Sequence, residues 1–165
     1  MTYPDDFDGP EILRDFVPYL THRIGTLMDQ TIDPDLKELD ISLEMWRVLF
    51  ILSQVGPHNL VALAKSTSVK TSTLSRLVGR MVKRGYVSRS RSETDNRTVD
   101  VAILPAGQEI VDVLMPRAME IREMATQDFL PEELPVLTAY LRRLHQTLVK
   151  NGSETSDERP ARRSG

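Results

Sequence analysis
The chain has 165 residues, no cysteine and a formal net charge of −3, a length able to bury one core with appended helices. The lack of cysteine excludes disulfides, thiolate metal sites and thiol redox sensing. No apolar run approaches the roughly 18 residues needed to cross a bilayer, and the acidic start MTYPDDFDGP does not resemble a signal peptide, so the expected location is the cytoplasm, with no membrane partner.

Residues 1–9 read as a disordered lead-in. Pro10 suits the first turn of a helix. From there Ile12, Leu13, Phe16, Val17, Leu20, Ile24, Leu27 and Met28 recur at helical spacing. Pro18 interrupts the run, so the helix is kinked there or begins again. Asp33-Pro34 predicts a loop. Ser42 is the expected N-cap of a second helix with Met45, Trp46, Leu49 and Phe50 as its apolar stripe, and Gly56-Pro57 ends it. A short helix from Leu60 to about Thr67 is capped by Asn59. After a turn at Ser68 and Val69, a helix is predicted over about Thr71 to Arg84. Its apolar residues Leu74, Leu77, Val78, Met81 and Val82 form one stripe. The other faces carry Ser72, Thr73, Ser75, Arg76, Gly79, Arg80 and Lys83, and Gly85 is the stop.

The pattern then changes to strands. Tyr86 to Arg89 and Val99 to Ile103 alternate partially. The charged stretch Ser90 to Thr98 between them predicts a β-hairpin with a long tip. Pro105 and Gly107 open a long helix containing Pro116. Pro131-Glu132-Glu133 starts a last helix with Leu134, Leu137, Leu141, Leu144 and Leu148 inside. The polar tail 151–165 reads as disordered.

Charge is distributed unevenly along this order. Residues 1–59 carry 4 basic and 11 acidic side chains. Residues 60–97 carry 9 basic and 2 acidic, a balance of +7. Residues 98–165 carry 8 basic and 11 acidic. A basic segment between acidic flanks is an electrostatic footprint for nucleic acid, although a charge run alone also describes a solvated face. The local organisation favours the first reading. A bracing helix, a tight turn, a second helix with short hydroxyls and arginines in its N-terminal half, and a basic hairpin form one mechanical unit. Such a helix fits the DNA major groove, where Ser and Thr permit close approach and Arg bonds guanine. A hairpin arginine suits a narrow minor groove.

The segment LAKSTSVKTSTLSRLVGRMVKRGYVSRSRSETDNRTVDVAILPAG resembles the winged helix-turn-helix of the MarR family of bacterial regulators. Leu63-Ala64 matches the bracing helix, and Ser72-Thr73-Leu74-Ser75-Arg76-Leu77-Val78 the core of the recognition helix. Asp95-Asn96-Arg97 matches the wing signature, and Leu104-Pro105-Ala106-Gly107 the strand-to-helix junction. Lys70 stands where the family has a small capping residue, and Thr71 where a basic residue or proline is common. Thr67 and Ser68 replace an apolar residue and a glycine.

The resemblance implies a mainly α fold with a small β-hairpin wing, flanked by N- and C-terminal dimerisation helices. The expected organisation is a dimerisation helix and loop over 10–40, a DNA-binding domain over 41–104 and dimerisation helices over 105–150. It implies that Ser72, Thr73, Arg76 and Arg80 contact bases and phosphates of double-stranded DNA, with Lys70, Thr71 and Ser75 completing the surface. Arg97 is expected in the minor groove, held by Asp95 through a charge-assisted bond. A homodimer would set two recognition helices about one DNA turn apart, roughly 34 Å, on a pseudo-palindromic operator. Repression is the family's commoner mode. Many relatives release DNA on binding small aromatic acids or acyl-thioesters. Tyr19, His22, Arg23 and Trp46 are the candidate effector residues, although Trp46 also reads as core.

An enzyme is not expected. His22, His58 and His145 are scattered without metal-ligand spacing, and there is no catalytic pair or glycine-rich phosphate loop. No cofactor or metal is implied. The alternative function is a winged-helix protein-interaction module without sequence-specific DNA binding.

Overall fold
The computed structural model describes residues 9–67, 69–91 and 99–157, with side chains up to residue 151. The chain divides into two compact units, Met1–Ile121 and Arg122–Gly165.

In the first unit a 3-10 turn over Glu11–Leu13 precedes helix α1, Val17–Glu38. The helix begins again at Pro18, which sits in its first turn, where a missing amide costs nothing. The loop expected at Asp33-Pro34 does not form, and α1 continues through both residues. Ile32 and Leu36, one turn apart, are both buried. Their burial outweighs the cost of an internal proline that faces solvent, where water can satisfy the carbonyl it leaves unpaired. Asp33 and Lys37 add an i,i+4 ion pair across the same turn. The true end comes at Asp40, which adopts a left-handed φ of 53°. The Ile41 amide then donates back to the Leu36 carbonyl at 2.9 Å, closing a Schellman-type turn with Ile41 buried.

Helix α2, Leu43–Val55, is capped as expected, the Ser42 hydroxyl accepting from the Met45 amide at 3.3 Å. Gly56, with φ of 76°, ends it. A two-residue strand β1, His58–Asn59, follows. Helix α3 is Leu60–Thr67, with the Asn59 Oδ1 accepting from the Ala62 amide at 2.8 Å. Helix α4 is Thr71–Lys83. Strands β2, Val87–Arg91, and β3, Val99–Ile103, pair antiparallel with Val87 opposite Ile103 and Arg89 opposite Val101. β1 adds to the free side of β3, giving the order β1-β3-β2. Nothing in the sequence announces β1, because two residues have no periodicity.

Helix α5, Pro105–Thr126, starts directly from β3. The core is one cluster in which Leu49, Leu63, Leu74, Val78, Met81, Val87, Val101 and Val111 are essentially inaccessible. Of the apolar stripe read for α4, Leu74, Leu77, Val78 and Met81 are buried, whereas Val82 is 39% exposed at the stripe's edge. On α5, Arg117 donates to Glu120 at 3.0 Å and to Asp35 of α1 at 3.3 Å. Those two carboxylates hold its pKa above the ordinary arginine value.

In the second unit, helix α6 spans Glu133–Asp157. The Glu133 carboxylate accepts from the Leu130 amide at 2.8 Å and so caps its start. The helix runs past Asn151, into the segment expected to be disordered. Between 151 and 157 Gly152 is the sole strong breaker, and about 1 kcal/mol for one glycine does not stop a helix already nucleated. The side chains of Val136, Tyr140, Leu141, Leu144, Leu148 and Val149 are all exposed. Among the described residues no helix is long and apolar enough to cross a membrane.

Candidate nucleic-acid interface
Helix α4 owes its orientation to its buried stripe. Leu74, Leu77, Val78 and Met81 fix one side against the core that α3 supplies with Leu63 and Ala64. The opposite side then belongs to solvent. Ser72, Arg76, Arg80 and Lys83, spaced four, four and three residues apart, share that face, with Thr73 beside them. All five are exposed. Lys83 is the member that the motif comparison did not include among the DNA contacts, and helical spacing alone would have found it.

The start of α4 is open. Lys70 holds the N-cap position with φ −59° and ψ 136°, its carbonyl accepting from the Leu74 amide at 2.9 Å, and its side chain caps nothing. The exposed first turn, Thr71 to Thr73, therefore presents the positive end of the helix beside two hydroxyl-bearing side chains and a third at Ser72. An anion is favoured at such an end, and phosphate is the anion that DNA offers.

The two flanks of α4 are tied down by arginines. On one flank, the Nη2 of Arg89 in β2 donates to the Ser75 carbonyl at 2.8 Å and to its Oγ at 3.1 Å. Ser75 is half-buried and lies beside the exposed face, not on it. On the other flank, Arg84 donates to both the carboxylate and the carbonyl of Asp40 and lies 5.9 Å from the Tyr86 ring centroid. The sequence alone assigned neither Arg84 nor Arg89 a bonding partner. Their partners lie 44 and 14 residues away in sequence, a separation that no local pattern reveals.

Asp95 and Arg97 lie outside the described residues. Strand β2 ends at Arg91 before them and β3 begins at Val99 after them.

The four candidate effector residues separate. Tyr19, His22 and Arg23 lie in the first half of α1, with His22 exposed and Tyr19 and Arg23 half-buried and engaged by other groups. Trp46 is buried, with its ring 5.6 Å from that of Phe50. It lines a cleft of about 150 Å³ together with Met28, Asp29, Ile32, Leu43, Arg47, Ala118 and Ile121. Arg47 and Asp29 join across it through two hydrogen bonds, at 2.9 and 2.7 Å. Of the four, Trp46 alone is in that lining. Among the described residues, no three His, Asp or Glu side chains are grouped to hold a metal ion.

Residues 41–99 match the model of the MarR family. The HTH-type transcriptional repressor IacR of Pseudomonas putida is 28% identical over 108 residues, which cover 66% of this chain and just under two thirds, 65%, of that protein. A MarR-family transcriptional regulator from Silicibacter pomeroyi superimposes with a TM-score of 0.72 at 28% identity, over 84% of this chain and 91% of that one. A mutant MarR from E. coli, complexed with operator DNA, superimposes with a TM-score of 0.67 at 23% identity, over 82% and 99%. The matched residues run from the buried end of the α1–α2 turn to the first residue of β3, the span that holds the bracing helix, α4 and the wing. Over residues 41–99, about a third of its length, the chain is similar to the MarR family.

Proposed function
We propose that this chain is a transcriptional regulator, a repressor, that binds a pseudo-palindromic operator as a homodimer. The observation that carries this reading is α4. A helix whose buried side is apolar presents Ser72, Arg76, Arg80 and Lys83 on its opposite, exposed side, behind an open N-terminal turn. That is the surface a major groove accepts. In this reading residues 41–104 bind DNA, while 10–40 and 105–150 dimerise. Apolar side chains exposed on α1, such as Val17, Ile24 and Leu27, and those on α6 support the dimer. Lys70, Thr71, Ser72, Thr73, Arg76 and Arg80 contact the groove walls and base edges, and Arg97, oriented by Asp95, enters the minor groove. The protein acts in the cytoplasm.

A small effector, an aromatic acid or acyl-thioester, releases the DNA. The cleft beside Trp46 supports this, since it offers an aromatic wall and a guanidinium at Arg47. Tyr19, His22 and Arg23 serve it only if a second copy completes the site.

Selection of genomic fragments bound by the full chain tests the reading. One recovered sequence should bind far above random duplex, with affinity falling steeply as salt rises. Equal binding to all duplexes would instead favour a protein-interaction module. Within this reading, Arg76→Ala should cost about 1–3 kcal/mol at particular base pairs and relax discrimination there. A uniform loss across all sequences would make Arg76 a phosphate contact.

A further inference from the structure
Arg89 belongs to the basic segment, yet its Nη2 donates to Ser75, beside the candidate DNA surface. We propose that Arg89 is a positioning residue that locks the first wing strand to the recognition helix, so that α4 and the wing meet DNA at a fixed spacing. The proposal rests on the DNA-binding reading above and assigns Arg89 a role other than phosphate contact.

The strand register explains why Arg89 reaches α4. Side chains alternate along a strand, so Arg89 leaves β2 on the same side as Val87, which is fully buried. Its cross-strand neighbour is Val101, also fully buried. Arg89 therefore departs from the core-facing side of the sheet, where the next surface is α4. Its Nη2 meets the Ser75 carbonyl at 2.8 Å and the Ser75 Oγ at 3.1 Å. The carbonyl lies inside α4, where the helix engages one of its lone pairs, and Arg89 takes the other. A guanidinium donor makes the bond charge-assisted and directional.

The position of the link matters as much as its strength. Ser75 immediately precedes Arg76, and Arg89 lies two residues before the end of β2. Sliding β2 along α4 would thus shift the end of the strand at Arg91 relative to the face carrying Ser72 and Arg76. A direct phosphate contact would point Arg89 outward from the sheet edge, and its hydrogen bonds point inward to the helix.

The test uses the full chain and a duplex recovered by the genomic selection. Arg89→Ala should weaken binding roughly tenfold, the size expected for a lost charged hydrogen bond. The slope of log affinity against log salt should stay unchanged, because no phosphate partner is removed. Arg89→Lys, which keeps the charge but shortens the reach, should also bind weakly with the wild-type slope. It serves in addition where the alanine variant does not fold. The combined loss for Arg89→Ala with Arg97→Ala should be smaller than the sum of the single losses, as for groups acting as one unit. A slope reduced by about 0.9, full rescue by lysine, or unchanged affinity would each overturn the proposal. If the wild-type chain prefers no duplex at all, the DNA-binding reading fails, and this proposal with it.

Discussion

Gly107→Ala should destabilise the protein by about 3 kcal/mol, at the upper end of the range for overpacking a core, and lower its melting temperature by roughly 6–12 °C. A Cβ at this position would stand 2.2 Å from the Tyr86 carbonyl oxygen, 3.0 Å from Leu49 Cδ2 and 3.1 Å from Ile103 Cγ1. The first contact decides the size of the effect, because it is with backbone. The same carbonyl accepts from the Leu104 amide at 2.9 Å, and the Tyr86 amide donates to Met81 at 3.0 Å. Tyr86 is therefore held from α4 on one side and from the start of α5 on the other, and it cannot yield without disturbing one of them. Gly79→Ala is the matching control. Nothing lies within 4 Å of a Cβ there, and a helical alanine in place of glycine should add up to about 1 kcal/mol. Urea unfolding of both variants checks the pair. A Gly107 variant within 0.5 kcal/mol of wild type would mean that the β2–α5 junction is looser than these distances imply.

That junction also marks the boundary of what sequence can reveal here. Helix α4 was legible because three independent signals agreed: an apolar stripe at helical spacing, basic and hydroxyl residues on the remaining faces, and Gly85 as its stop. Ser42 and Asn59 were legible as caps because their chemistry is local and acts within three residues. Pro34 misled for the same reason. Its local preference for ending a helix is real, and burial of Ile32 and Leu36 overrides it from outside the local window. Gly107 reads in sequence as one more small residue near a helix start, and its necessity comes from a carbonyl 21 positions earlier. The arginine ties have the same origin. Arg84 meets Asp40 and Arg89 meets Ser75 only after the sheet and helices have assembled, so composition could count their charge but not assign it. The reading face of α4 was thus available from periodicity, while the devices that orient it were not.

Charging the apolar face of α6 should convert the protein to a monomer. Leu137, Leu141, Leu144 and Leu148 recur at spacings of four, three and four and so form one stripe. Leu141, Leu144 and Leu148 are 48%, 37% and 64% exposed in the single chain. A stripe of this length left in water forfeits the burial that normally stabilises a helix, and a second copy offers the same stripe as its complement. Glutamate at both 144 and 148 would place two carboxylates in each half of that contact, close to their symmetry mates. Sedimentation should then show a monomer for this variant and a dimer for the wild-type chain. Binding to a full operator should fall by about 100-fold or more, because two tethered half-site contacts become two independent ones. Binding to a single half-site should stay as it was, since α4 lies in the other compact unit. Gln146→Glu, on the far side of α6 from the stripe, should leave both properties intact. A variant that stays dimeric with the stripe charged would move the interface elsewhere. Operator binding that survives in the monomer would instead separate dimerisation from DNA recognition, and the pseudo-palindromic operator would lose its physical basis.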